Sequence, residues 1–266
     1  MAYILLLDCM MAAHHDAEML IIPCQLAINM PGSGLPFEES YADLFHPASA
    51  ASNVEAATNE DALLLLTALL SDVLHVHRLM SSIIGTDVCE LADLRNGPDL
   101  PPHCAPFVPF SPTMERARLV DRMDHALAAW NARYVALVAH ETHALYYYTK
   151  MIAACPRMLE LPAVAGYPPS GDQGQREADQ LTHHIIVSSE TQQLAYLVLA
   201  HTTVENAVRV EIWLPVIVFH AALAVWYGSR SDSRHPPRML DPFTKVLDCL
   251  PWPCCREMVA TLKSLQ

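Results

Sequence analysis

The segment from Ile212 to Tyr227 constrains the fold of this chain more than any other. It reads IWLPVIVFHAALAVWY, so an α-helix built from it would be apolar around its whole circumference. Such a helix needs apolar neighbours on every side, and a chain of 266 residues that is 52% hydrophobic can supply them. We therefore predict a buried core helix that stops at Gly228, surrounded by other helices.

The same segment is the longest apolar run, so a membrane-associated helical protein is an alternative interpretation. A helix that spans a bilayer needs roughly 18 or more apolar residues. This run is slightly shorter and contains Pro215 and His220. The apolar start MAYILLL lacks a basic flank and is cut short by Asp8, so it makes a poor signal peptide. We predict a chain with no membrane span.

Helical patterns cover most of the remaining chain, because apolar residues recur at three- and four-residue spacing and glycine is rare. We predict helices over 3–28 with a break at Pro23, over 60–82 after a cap at Thr58 or Asn59, over 112–155 as one long helix or two nearly collinear ones, over 177–210, and a last one from Asp241. The segment 31–40 is predicted as a loop, 96–113 with its six prolines as irregular, and 161–176 as a flexible loop. The prediction is an all-α fold in a single domain over 1–266, with one long amphipathic helix pair and a fully buried helix near the C-terminus.

Charge and cysteine usage argue against DNA binding by this chain. The formal net charge is −13 and only three lysines occur, whereas affinity for nucleic acid rests on cationic side chains that neutralise phosphates. None of the eight cysteines forms a C-x-x-C pair, which zinc modules need to supply two ligands from one short loop. We predict free thiols in a reducing compartment and no direct contact with DNA.

Fourteen histidines raise the question of a metal or acid–base site. The densest group is His140, Glu141 and His143 in HETH, but a zincin helix needs H-E-x-x-H, and no third ligand is indicated. Adjacent or near-adjacent histidines point in divergent directions on a helix; these are His14 with His15, His75 with His77, and His183 with His184. Aspartates precede histidines by three positions at Asp43/His46, Asp72/His75 and Asp232/His235, which chance explains in so histidine-rich a chain.

Two further features favour packing over chemistry. His220 lies within the apolar helix, where a hydrogen-bonded core histidine is the better interpretation. The cluster Tyr146, Tyr147 and Tyr148 could line a small-molecule cavity, but helix packing is the expected use. The sequence therefore predicts no catalytic, cofactor-binding, metal-binding or DNA-contacting residue, and no enzyme.

Several segments resemble the fungal-specific transcription factor domain, in that family's order. They are LLLDCMMAAHHDAEMLIIPCQLAINMPGSGLPFEES at 5–40, ALAAWNARY at 126–134, ALYYYTKMIAACPRMLEL at 144–161, and the late pieces VENAVRV, WLP and FHAALAVWYG between 204 and 228. The first contains a leucine–aspartate pair, here Leu7 and Asp8. It also contains a leucine–proline pair, here Leu35 and Pro36, followed by the acidic residues Glu38 and Glu39.

The resemblance implies a helical regulatory domain of the kind found behind zinc-cluster or zinc-finger DNA-binding modules. It implies a nuclear transcription regulator of metabolic or secondary-metabolite genes, without catalysis, cofactor or metal. Met1 falls inside what would be the middle of that domain, so the DNA-binding module and the early helices have no counterpart here.

We therefore expect helices such as 61–71 and 212–227 to lack some partners, and the chain to self-associate or pair with a full-length regulator. Two other classes stay open. One is an α-helical metal- or haem-dependent enzyme that uses the histidines. The other is the membrane-associated protein considered above.

Overall fold

The computed structural model describes residues 1–15, 17–25, 27–46, 57–83, 112–167, 185–202, 211–230 and 238–266. Within these ranges the chain forms ten α-helices and two 3-10 turns, and no strand, which confirms the all-α prediction. The helices are α1 (Ala2–His15), α2 (Phe37–Ala42), α3 (Asn59–Ile83), α4 (Pro112–Tyr134), α5 (His140–Ala154), α6 (Leu161–Val164), α7 (Ser189–Ala200), α8 (Leu214–Ser229), α9 (Asp241–Cys249) and α10 (Cys254–Ser264). The 3-10 turns are Pro23–Gln25 and Pro156–Glu160.

Helix α8 is part of one apolar core to which all ten helices contribute buried side chains. Its residues from Leu214 to Val225 are buried apart from Val216, which confirms a core helix in this segment, whereas Ile212 lies before the helix and is 45% exposed. Gly228, predicted as its stop, instead lies inside α8, where the missing side chain makes room for Gln192 of α7. In the parts of the chain that the structure describes, no helix is both long and apolar enough to cross a membrane.

The start of α3 is tied to the segment before α2 by one buried carboxylate. Asp61 accepts hydrogen bonds from the backbone N–H groups of Thr58 (3.0 Å), Gly32 (2.8 Å) and Ser33 (3.0 Å). The Thr58 hydroxyl in turn accepts from the Asp61 N–H at 3.3 Å, which completes a reciprocal cap and confirms Thr58 as the predicted cap. A side chain at Gly32 would collide with Thr58, so only glycine allows this approach.

The predicted long helix over 112–155 is two helices that fold back on each other, not one rod or a collinear pair. The rings of Trp130 in α4 and Tyr146 in α5 stack with centroids 5.5 Å apart. Along a straight helix these residues would lie about 24 Å apart, because each residue advances about 1.5 Å. The turn at 135–139 contains neither glycine nor proline, so the local sequence carried no signal for it.

Helix α1 ends at His15 and does not continue toward Ile28 as predicted. The Asp8 carboxylate accepts hydrogen bonds from the N–H groups of Leu20 (2.9 Å) and Ile21 (2.8 Å), which brings the chain back against the helix. Asp8 is 12 residues from Leu20 and 13 residues from Ile21, and these hydrogen bonds compete with continuation of the helix. The periodicity of the sequence does not reveal them.

Other predicted boundaries differ in smaller ways. The loop predicted over 31–40 contains the start of α2, and the last helix is the pair α9 and α10. The predicted helix over 177–210 corresponds to α7 at 189–200. Residues 185–188 before it are not helical, and residues 177–184 and 203–210 lie outside the described residues. The predicted loop over 161–176 begins with α6, and residues 168–176 also lie outside them, as do residues 96–111 of the proline-rich stretch.

Candidate functional site

Three histidines meet where the start of α5 approaches the end of α7. His140 and His143 lie in the first turn of α5, three residues apart and therefore on one face, and His201 is the C-cap residue of α7. One ring nitrogen from each histidine lies within 4.8 Å of the other two. We call these residues the histidine cluster.

The rings of the histidine cluster are in mutual contact. The centroid distance is 5.1 Å between His143 and His201 and 5.9 Å between His140 and His201. Tyr147, one turn further along α5, stacks on His201 at 5.3 Å. His140 is exposed, whereas His143 and His201 are partly buried, so the cluster is open to solvent on one side.

One hydrogen bond determines which nitrogen of His143 is available. Its Nε2 lies 3.1 Å from the carbonyl oxygen of Val135, which only accepts, so Nε2 carries the proton and donates. The Nδ1 atoms of His143 and His201 are buried and have no hydrogen-bond partner in the structure. Burial, followed by repulsion from His143 and His140, lowers the pKa of His201, so its imidazole favours the neutral form.

The sequence marks His140 and His143 as a dense pair but gives no sign of His201. It predicts no metal site at the pair, because the spacing differs from that of H-E-x-x-H and no third ligand is indicated. His201 is 58 residues further along the chain than His143, and nothing in its local sequence marks it as a partner. Only the packing of α5 against α7 brings His201 to the pair, so the sequence around His140 and His143 could not indicate a third ligand.

A second group of polar rings lies inside the core. The Tyr148 hydroxyl and the Nδ1 atom of His220 are 2.8 Å apart, and both residues are fully buried. Burial, with a smaller contribution from His14, lowers the pKa of His220 to about 3, and burial raises the pKa of Tyr148. Both groups are therefore neutral at physiological pH, which confirms His220 as a hydrogen-bonded core histidine.

His14 connects this buried pair to the edge of the core. Its ring lies 6.3 Å from that of His220, and its Nε2 lies 3.4 Å from the Tyr167 hydroxyl. Burial first and then the neighbouring His15 lower the pKa of His14. His14 is partly buried and His15 is exposed, but their rings meet edge to face with centroids 4.7 Å apart, so the expected divergence of this pair is not observed.

The three adjacent tyrosines of α5 take three different surroundings. Tyr146 stacks on Trp130, Tyr148 bonds to His220, and Tyr147 faces the histidine cluster. Packing therefore accounts for Tyr146 and Tyr148. Trp130 is itself tied to α3, because its indole N–H donates to the Ala62 carbonyl at 2.8 Å.

The remaining polar candidates do not join the histidine cluster. Asp72 accepts a 2.6 Å hydrogen bond from the Tyr41 hydroxyl, and His75 lies exposed one turn further along α3. Asp43 and His46 lie in the segment that directly follows α2. The pairs His183–His184 and Asp232/His235 lie outside the described residues, as does the side chain of His77. None of the five cysteines whose side chains the structure describes forms a disulfide.

Exposed apolar surface occurs along α1 and not on the helices for which it was expected. Helix α3 between residues 61 and 71 and helix α8 both find apolar partners within the chain. Along α1, large apolar side chains at helical spacing point to solvent: Met1, Tyr3, Ile4, Leu7 and Met11 are between 39% and 59% exposed. We call these five residues the α1 stripe.

The comparisons with known proteins add no relative to this description. No family model, no curated protein and no solved structure matches the chain.

Proposed function

We propose that this chain is a helical regulatory domain of a fungal transcription regulator, a nuclear protein-binding module without catalysis. The observation that carries the proposal is the set of family-like segments, which occur in the family's order from Leu5 to Gly228. The all-α architecture agrees with the architecture that this resemblance implies.

The segments behind the resemblance that the structure describes contribute to one core, which supports reading them together; VENAVRV at 204–210 lies outside the described residues. Asp8 of the leucine–aspartate pair accepts two backbone N–H groups, and the Leu35 carbonyl accepts the Met30 N–H at 2.7 Å. Trp130 and Tyr146 stack between α4 and α5, and α8 belongs to the same apolar core. These contacts give the segments packing roles, and the regulatory role is proposed from the resemblance.

The charge of the chain supports protein partners over nucleic acid. A net charge of −13 opposes the approach of a phosphate backbone. The exposed α1 stripe favours association with another protein, and a second copy of this chain is the partner that we propose first. Pairing with a full-length regulator would use the same kind of surface.

A tethering experiment tests the regulatory role. The chain is fused to the DNA-binding domain of an unrelated regulator and directed to a reporter promoter in a fungal nucleus. We expect reporter expression to differ clearly from that given by the DNA-binding domain alone. Ala222→Asp, which places a charge in the core of α8, should abolish the effect, whereas Ala128→Asp on the exposed side of α4 should keep it. A folded fusion that reaches the nucleus and leaves the reporter unchanged would contradict the proposal.

Direct DNA binding is tested on the purified chain alone. We expect no specific gel shift at protein concentrations near ~10⁻⁸ M, the range in which specific DNA-binding proteins act. A salt-sensitive, sequence-specific complex in that range would show that the chain reads DNA itself.

Self-association is tested by sedimentation of matched variants. Ile4→Lys in the α1 stripe should shift the chain toward monomer, because it places a charge in the apolar surface. Ile186→Lys, at a still more exposed isoleucine before α7, should leave the distribution unchanged. A wild-type chain that sediments as one monomeric species would rule out self-association.

A further inference from the structure

We propose that His140, His143 and His201 form a binding site for one divalent transition-metal ion of the Zn²⁺ type. The ion would join the start of α5 to the end of α7 through three imidazole nitrogens. This inference does not depend on the proposed regulatory function, because it rests on the geometry of the histidine cluster alone.

The spacing of the nitrogens is close to what such an ion requires. Tetrahedral Zn²⁺ binds imidazole nitrogen at about 2.0–2.1 Å, which separates two ligand atoms by about 3.4 Å. The three nitrogens already lie within 4.8 Å of one another. Side-chain rotation therefore has to bring them closer by at most about 1.5 Å. His140 is exposed, so its side chain can make that adjustment without disturbing the core.

His143 makes the second hydrogen bond that is typical of a metal-binding histidine. Its Nε2–H donates to the Val135 carbonyl at 3.1 Å, and its Nδ1 is left unprotonated, buried and without a partner. Metal-binding histidines commonly donate their second ring N–H to a backbone carbonyl, which fixes the tautomer and the ring orientation. The turn at 135–139 thus holds the ring of a candidate ligand in the helix that follows it.

His201 is held in place by packing. Tyr147 stacks on its ring at 5.3 Å, and its Nδ1 is buried without a hydrogen-bond partner. A buried polar atom without a partner is unfavourable, so an ion that bonds to it would stabilise the site.

The donor set points to the class of metal. Three neutral imidazoles suit Zn²⁺, Ni²⁺ or Cu²⁺, whereas Mg²⁺ and Ca²⁺ need oxygen ligands. Among the residues that the structure describes, the group holds three protein ligands. The fourth position of a tetrahedral ion would then be taken by water or by a ligand from outside the chain.

The test is a Zn²⁺ titration of the full-length, untagged chain, because a polyhistidine tag would bind the same ion. We expect one tight equivalent of Zn²⁺ by calorimetry, and a rise in Tm with Zn²⁺ but not with Mg²⁺. Co²⁺ at the same site should give the visible absorption of a tetrahedral complex. We expect Zn²⁺ binding to weaken by about 100-fold or more in each of three variants, His140→Ala, His143→Ala and His201→Phe. Losing a residue that only hydrogen-bonds to a ligand already costs about 10–100-fold in metal affinity.

The variants are matched so that loss of folding does not imitate loss of a ligand. His201→Phe keeps an aromatic ring to stack on Tyr147 and removes both nitrogens. His125→Ala changes an exposed histidine of α4 outside the cluster and should bind Zn²⁺ as the wild type does. Circular dichroism and Tm without metal confirm that each variant is folded. The proposal is overturned if the wild type binds no tight equivalent of Zn²⁺, or if the cluster variants bind it as tightly as His125→Ala.

Discussion

Two groups of histidines in this chain show how strongly the surroundings decide what one side chain does. His220 lies in the middle of α8, with a tyrosine hydroxyl on one nitrogen and apolar side chains around it. The histidine cluster lies at the ends of two helices, partly in solvent, with one ring nitrogen from each of three side chains within 4.8 Å of the other two. The first group is suited to hold the core together as neutral rings, and the second brings three nitrogen atoms together where a ligand from solvent can reach them.

The physical reason is the difference between a helix middle and a helix end. In the middle of α8, neighbours on every side exclude water, so the neutral form of His220 is favoured and its pKa falls to about 3. At the junction of α5 and α7, the chain turns and side chains from separate elements converge at the surface. We make four predictions that test this contrast, from the largest expected effect to the smallest.

The largest effect is expected from a charge placed in the surroundings of His220. Ala222→Asp puts a carboxylate at a fully buried position of α8, two residues from His220. We expect the free energy of unfolding to fall by about 3–5 kcal/mol, because an unpaired buried charge is costly. Urea unfolding measures this, with Ala128→Asp on the exposed side of α4 as the control, expected to change it by at most about 1 kcal/mol. A small effect of Ala222→Asp would mean that water reaches the interior of α8.

The second prediction removes the partner of the buried hydroxyl. His220→Leu leaves the Tyr148 hydroxyl buried without a hydrogen bond, so we expect a loss of about 1–3 kcal/mol in the free energy of unfolding. Adding Tyr148→Phe should restore part of that loss, because the double variant has no unsatisfied group. Urea unfolding of the two single variants and the double variant gives the coupling energy. Strictly additive effects would contradict a hydrogen bond between the two residues.

The third prediction concerns pH. An unfolded histidine titrates near pH 6.5, whereas His220 in the folded chain titrates at about 3, so between these values the unfolded state binds the additional proton. Stability should therefore fall as pH falls through this window, by about 1.4 kcal/mol per pH unit from this group. The lowered pKa of His14 acts in the same direction, and the raised pKa of Asp72 acts in the opposite one. The difference in unfolding free energy between the wild type and His220→Leu isolates His220, and a difference that does not change between pH 6.5 and 4.5 would contradict its burial in the neutral form.

The smallest effect is expected at the histidine cluster in the absence of metal. His140→Ala removes an exposed side chain and should change the free energy of unfolding by no more than about 0.5 kcal/mol. The contrast with His220→Leu is the point of the measurement, which uses urea unfolding in the presence of a chelator. A loss as large as that of His220→Leu would show that the cluster is part of the structural core.

Much of the architecture was predictable because local signals agreed with the packing. The apolar pattern of α8, the Thr58 cap of α3 and the helix start at Pro112 all follow from residues close together in the chain. The predictions were wrong where a contact between distant residues decided the outcome. Asp8 ends α1 early by binding Leu20 and Ile21, and Trp130 and Tyr146 stack where a straight helix was expected.

The sequence by itself determined the all-α class, the burial of α8 and the neutral core role of His220, because composition and periodicity carry that information. Only the tertiary structure placed His201 beside His140 and His143 and left the α1 stripe exposed. Both depend on which helices pack together and how the turns between them are formed. Which side chains meet across two helices depends on how the whole core packs, so the local sequence around His201 does not predict its partners.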